Sequence, residues 1–148
     1  HEGGISTPLI ARWPGVIEPG TLTHQVGHVV DIMPTLLALT GAAYPEQRKG
    51  VAVLPTDGIS LLPVFAGKER PGHESLCWYL YGNRAIRQGK WKLVWAGNVK
   101  KWELYDMEKD RTETDNLAAR DRPRVSRMAA DWHRWAKQTG TPTKGTGL

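Results

Sequence analysis

Between Asn83 and Met107 the chain reads NRAIRQGKWKLVWAGNVKKWELYDM, and from Lys90 to Trp95 its positions alternate. Trp91, Leu93 and Trp95 fall on one side of a pleated strand and Lys90, Lys92 and Val94 on the other, the pattern of a half-buried antiparallel strand. A two-residue turn at Gln88-Gly89 places Ile86 across from Trp91 and Ala85 across from Lys92, so Ile86 joins the indole face. A second turn near Gly97-Asn98 leads into Lys101 to Met107, where Trp102 and Leu104 share a face. The stretch predicts a three-stranded meander with one aromatic side, and aromatic area of that size is rarely left in water. The Lys90 and Lys92 side, taken with Arg84, reads as a solvated face. Cover for the aromatic side comes at Arg122 to Gln138, where Val125, Met128, Ala129, Trp132, Trp135 and Ala136 recur at helical spacing. Arg124, Arg127, Asp131, Arg134 and Lys137 fall largely on the opposite face. Pro123 suits a first helical turn and Gly140 a helix end.

The front half has less period. Ile5 to Trp13 is apolar enough for a strand, which Pro8 confines to an edge or a bulge. Val29 to Gly41 predicts a short helix with Asp31 as N-cap and Gly41 as its stop, and its Ile32, Leu36 and Leu39 require a partner surface. Ala42 to Gly58 reads as loop, and Ser60 caps a brief helical turn through Phe65. GKERPGHE, Gly67 to Glu74, is the most linker-like run. Neither the strand nor the helix finds a second layer of its own, so the front half reads as the end of a larger α/β sheet. The expected organisation is therefore an α/β end over residues 1–66, a linker over 67–76, a small antiparallel sheet packed by a C-terminal helix over 77–140, and a frayed tail over 141–148. The fold class is an α/β parent whose present piece is α+β. A start in mid-pattern without Met makes an excised piece the expectation.

Composition adds bounds. A chain of 148 residues with 40% hydrophobic and 24% charged content can bury a real core. Twenty Lys and Arg against fifteen Asp and Glu give +5, dispersed along the chain with no long block. Cys77, the single cysteine, has neither a disulfide partner nor a ligand-spaced companion. No apolar run approaches the roughly 20 residues of a membrane span, and no signal peptide opens the sequence. His24 and His28, in HQVGH, have the spacing of a helical metal pair, but Gln25 stands where a zincin has Glu. With Val26, Val29 and Val30 favouring extended backbone, they read as loop histidines.

The run His1-Glu2-Gly3-Gly4-Ile5, continued by Thr7-Pro8-Leu9-Ile10 and Trp13-Pro14-Gly15, resembles the EGG-x-x-x-P-x-x-x-x-WPG segment of the sulfatases, alkaline-phosphatase-like hydrolases of sulfate esters. Asp31-Ile32 with Pro34-Thr35-Leu36 resembles the family's DI-x-PTLL helix, and Asp57-Gly58 with Ser60-Leu61 its DG-x-SL loop. Arg84 to Leu93 resembles its RA-x-R-x-GKWKL strand pair. Trp102 to Asp106 and Asn116-Leu117-Ala118 resemble its ELYD and NLA elements. Ser6-Thr7 departs from the pattern, since many members carry Arg-Val before the proline.

The resemblance implies a parent enzyme using a formylglycine made from a C/S-x-P-x-R motif, calcium or another divalent cation held by Asp and Asn, and Lys and His residues on the sulfate. All are expected upstream, which leaves the present chain with no catalytic residue, no metal ligand and no cofactor of its own. One catalytic Lys is expected just before His1, so His1 and Glu2 are the candidate substrate-lining residues. Ser6-Thr7-Pro8-Leu9-Ile10 imitates the modification motif but has Ile10 in place of Arg, and Cys77, followed by Trp78-Tyr79-Leu80-Tyr81, does not fit it. The implied role is to shape the cleft of a periplasmic or secreted enzyme that acts on a sulfate ester, with no nucleic-acid or membrane partner. The edge at Ile5 to Trp13 invites self-association. The alternative is a stand-alone binding module for sulfated glycans or other polyanions. A nucleic-acid binder ranks last because no aromatic-basic reader motif is present.

Overall fold

The structure, a computed structural model, describes residues 1–143; of the tail expected to fray, residues 144–148 lie outside the described residues. In chain order the elements are α1 (Glu2–Ile5), α2 (Ile32–Thr40), β1 (Gln47–Arg48), β2 (Val51–Ala52), α3 (Leu62–Phe65), β3 (Leu76–Leu80), β4 (Asn83–Gln88), β5 (Trp91–Ala96), β6 (Lys101–Asp106) and α4 (Arg122–Thr139). They form two units, one of His1–Thr7 with the chain from His73 onward and one of Pro8–Gly72.

The first unit is an antiparallel meander in the order β3-β4-β5-β6 with α4 on one face. Four strands form where three are expected, because β3 pairs along β4, with Cys77 opposite Ile86 and Tyr79 opposite Arg84. The β4–β5 register also differs. Ile86 pairs with Leu93 and Gln88 with Trp91, so the turn residues are Gly89-Lys90, not Gln88-Gly89. Gly89 has φ +56°, and a two-residue hairpin turn accepts that value most readily when glycine comes first of the two. A shift of two residues preserves the side-chain parity, which is why Ile86 still lies on the tryptophan face. There Ile86, Leu93 and Leu104 are buried with Met128, Trp132 and Ala136 of α4, and Trp91, Trp102, Val125, Ala129 and Trp135 pack around them. Asp121 caps α4 by accepting from the amide of Arg124 at 3.1 Å, and Gly140 closes it with φ +68°.

The opposite sheet face is not solvated. Ala85, Val94, Tyr105 and Met107 form a second buried cluster there with Trp78 against it, and Lys92 is 0% exposed. Nor does Arg84 belong with Lys92. It pairs across from Trp95 on the α4 side, and its guanidinium lies 5.4 Å from the Trp95 ring and 5.0 Å from that of Trp132.

In the second unit a 3₁₀ turn, Val29–Asp31, leads into α2, which stops at Gly41 with φ +68°. The ring of His28 accepts from the amide of Val30 while the Asp31 carboxylate accepts from the amide of His28 at 2.9 Å, a reciprocal cap. His28 is thus a capping residue. Asp31 does more than cap: fully buried, it also accepts from the amide of Ile59 at 2.8 Å and from the guanidinium of Arg70 at 2.8 Å. Arg70 further donates to the carbonyls of Ile59 and Val26, so the run that composition marks as a linker is pinned at its centre. Thr35 accepts from the amide of Leu61 and donates to the Asp31 carbonyl. These bonds join the DI-x-PTLL and DG-x-SL segments. The expected strand at Ile5 to Trp13 does not form: α1 ends at Ile5 and Ser6 to Trp13 lie in no element, Pro8 lacking a donor and no partner strand lying alongside. A short β1–β2 hairpin interrupts the expected loop. Ile32, Met33, Leu36 and Leu39 of α2 remain exposed.

Gly58 shows why this junction admits no side chain. A Cβ there would meet the carbonyl oxygen of Val30 at 2.0 Å and the Cα of Asp31 at 2.9 Å, both backbone atoms. Gly58→Ala should therefore push the loop off Asp31 and destabilise this unit by about 1–3 kcal/mol or more. Amide exchange at Ile59 and Leu61 is the measurement, expected to accelerate at least tenfold; an unchanged rate would show that the loop yields without loss.

Candidate functional site

On the second sheet face, charge is gathered around Lys92. Its ammonium lies 2.5 Å from a Glu2 oxygen and 2.8 Å from a Glu113 oxygen, and the Lys92 side chain is wholly inside. The sheet presents Lys92 between its cross-strand neighbours Arg87 and Tyr105. Glu2 comes from α1, and its backbone amide donates to the second Glu113 oxygen at 2.8 Å. That oxygen also holds His1 Nδ1 at 2.8 Å, while His1 Nε2 lies 3.4 Å from Glu103. The His1 ring meets Tyr105 edge-on at 6.1 Å. Arg111 approaches Glu2 at 3.8 Å.

The loop after β6 supplies Glu113 at an unusual backbone angle, φ +59°. Asp110 fixes that loop: its carboxylate accepts from the amides of Thr114 and Asp115, at 2.8 and 2.9 Å, and those donors, Asp115 first, hold its pKa below the usual range. A left-handed non-glycine residue persists only where its surroundings over-determine it, and here it aims a carboxylate at a buried ammonium. Burial, and then the Glu103 carboxylate, push the Tyr105 phenol up to about 12. The Arg87 guanidinium is moved downward by its burial, against the opposing pull of Glu2.

At its centre the Lys92 ammonium faces both Glu2 and Glu113, and Arg111 approaches Glu2 from outside. Such an arrangement fixes a segment in place. Of the two residues singled out as substrate-lining, Glu2 has its carboxylate turned to Lys92, whereas the side chain of His1 is 45% exposed at the edge of the cluster. His24 belongs to the other unit. The alternation of the strand hides Lys92, and nothing in the sequence marks Glu113 as its partner.

Neither the formylglycine nor the divalent cation that the resemblance implies finds fitting residues among those described. Among the described residues no three His, Cys, Asp or Glu side chains converge to hold a metal ion. Cys77 lies within β3, facing the α4 side, and burial, aided by Asp131, pushes its thiol up to about 12. At pH 8 its thiolate is then on the order of a thousandfold scarcer than that of an ordinary cysteine. Alkylation by iodoacetamide is expected to be correspondingly slow in the native chain and fast in urea; rapid native labelling would contradict the burial.

A family model described as N-sulphoglucosamine sulphohydrolase, C-terminal, matches residues 1–137. An uncharacterized sulfatase of Schizosaccharomyces pombe is 32% identical over 149 residues, covering 96% of this chain and 27% of the relative. Human arylsulfatase A is 37% identical over 98 residues, which is 62% of this chain and 18% of that protein. Among solved structures, a protein in complex with its substrate D-glucosamine-2-N,6-O-disulfate matches with TM-score 0.62 at 22% identity, over 93% of this chain and 29% of that one, a likeness of fold. The chain thus spans about a quarter or less of the length of these relatives. The motifs of its sequence, its sheet-and-helix unit and the match over nearly all its residues agree: the chain belongs to the N-sulphoglucosamine sulphohydrolase C-terminal family and is the C-terminal region of a sulfatase.

Proposed function

We propose that this chain serves its parent sulfatase as a scaffold that completes the catalytic domain and shapes the rim of the substrate cleft, without contributing a catalytic group. The observation that carries the reading is the apolar face of α2. Ile32, Met33, Leu36 and Leu39 lie exposed on one short helix, and a surface of that kind normally marks contact with another layer. The rest of the α/β domain is the layer we assign to it. At the other end of the reading, the Lys92 cluster clamps α1, so that His1 borders the sulfate pocket while Glu2 holds its backbone in position.

Sulfate transfer requires a nucleophile, a cation to neutralise developing charge and an acid for the leaving oxygen. In this reading the remainder of the parent supplies all three, including the formylglycine and calcium or another divalent ion, and the substrate is a sulfate ester. An activated aryl sulfate with excess calcium tests it. The purified chain should give no turnover and the parent should turn over; chelator-sensitive hydrolysis by the chain alone, abolished in His24→Ala, would sink the scaffold reading.

A further inference from the structure

The net charge of the chain is concentrated on one element. Helix α4 carries five Lys and Arg against the single carboxylate Asp131, so it alone accounts for four of the five net positive charges. Its apolar side is committed to the sheet through Met128, Trp132 and Ala136. Arg122, Arg127, Arg134 and Lys137 are exposed on the remaining side. Arg134 is held by Asp131 at 2.8 Å. Arg122, Arg127 and Lys137 have no ion pair among the described residues. From Arg122 to Lys137 the strip extends about 22 Å at helical rise.

We propose that this outward face of α4 is a docking strip for a sulfated polysaccharide chain, a proposal that rests on the sulfatase reading and adds to it a contact with polymeric substrate. The chemistry favours that polyanion. Guanidinium groups remain charged at every relevant pH and can grip a sulfate through two parallel hydrogen bonds. The strip bears no Trp, Tyr or Phe on which an unstacked base could rest, which argues against nucleic acid. Rigid attachment to the sheet fixes the cations along the helix over an arc of roughly 140° at 3.6 residues per turn, so a polyanion crossing that face meets several at once, and each contact releases a counterion.

The test is titration of the 148-residue chain with a heparin-derived dodecasaccharide at 50 and 200 mM salt. Saturable binding is expected, weakened at least tenfold in the variant Arg122→Glu, Arg127→Glu, Lys137→Glu, with the slope of log affinity against log salt reduced by about 2–3. Arg12→Glu, Arg48→Glu, Lys68→Glu, an equal charge change at exposed positions of the other unit, should alter affinity less than twofold. The three α4 positions changed to Gln should show a smaller loss in the same direction at unchanged melting temperature, which separates lost binding from lost folding. Absence of saturable binding, equal losses from the two Glu triples, or equally tight binding of single-stranded DNA of matched charge would each overturn the proposal. An inactive parent would defeat the sulfatase mechanism and leave this result standing.

Discussion

Lys92→Met is expected to lower the stability of the sheet unit by about 3–5 kcal/mol, the range for a buried ion cluster that loses one partner. Methionine nearly matches the length of lysine, so the substitution tests charge and not volume. Without the ammonium, the Glu2 and Glu113 carboxylates face each other, with the largely exposed Arg111 3.8 Å from Glu2. Desolvated like charges cannot remain in that arrangement. The least tethered element is α1, four residues long and held chiefly through Glu2 and the Glu113 carboxylate. It should detach first, seen as loss of amide protection at Glu2 before any change in β4 and β5. Adding Glu113→Gln to Lys92→Met should recover part of the loss, because one of the two orphaned charges goes with it. A melting temperature unchanged in Lys92→Met, with α1 still protected, would show that the cluster clamps nothing. A buried ion cluster need not add net stability over an apolar core; in this fold its value is the one position it allows α1 to take.

The two units differ in how much of this could be read from the residues alone. Alternation at Trp91, Leu93 and Trp95 and the helical spacing around Trp132 predict the aromatic core correctly, because both periods arise from the same geometry that packs the side chains. The observed register differs by two from the one the alternation predicts, since Gln88-Gly89 and Gly89-Lys90 are equally short turns and only the glycine's position within the turn distinguishes them. Strand β3 leaves no period-two signal, because Leu76 to Leu80 is an unbroken apolar run without alternation. Residue type alone marks Lys92 as solvated, although Ala85, Val94, Tyr105 and Met107 fall on the same face and argue against water there. Its partners could not be found: Glu2 and Glu113 are 90 and 21 positions away by their numbers, and only the fold brings them together. Arg70 was hidden in the same way, by flanking glycine and proline that mark a linker while its guanidinium binds Asp31.

Trp132→Ala is the second large effect, expected at about 3–5 kcal/mol from the lost indole and the cavity it leaves. Trp132 is 0% exposed and lies in one buried cluster with Ile86, Leu93 and Leu104 of the meander. Trp102 lies at 6.4 Å, Trp135 at 6.0 Å and Tyr79 at 6.4 Å between ring centres, and the Arg84 guanidinium rests 5.0 Å from its face. Its indole N–H donates to the carbonyl of Trp78 at 3.1 Å, so truncation leaves a polar group without that donor as well as a hole. The surrounding rings are themselves large and anchored on separate elements, which limits how far the site can collapse. Trp132→Phe separates the contributions: it keeps much of the ring but not the donor, and should lose roughly half as much or less. Chemical denaturation monitored by tryptophan fluorescence and by circular dichroism measures both variants. Coincident transitions shifted to lower denaturant are the expected result; a Trp132→Ala midpoint within error of the parent sequence would mean that α4 does not carry the core of this unit.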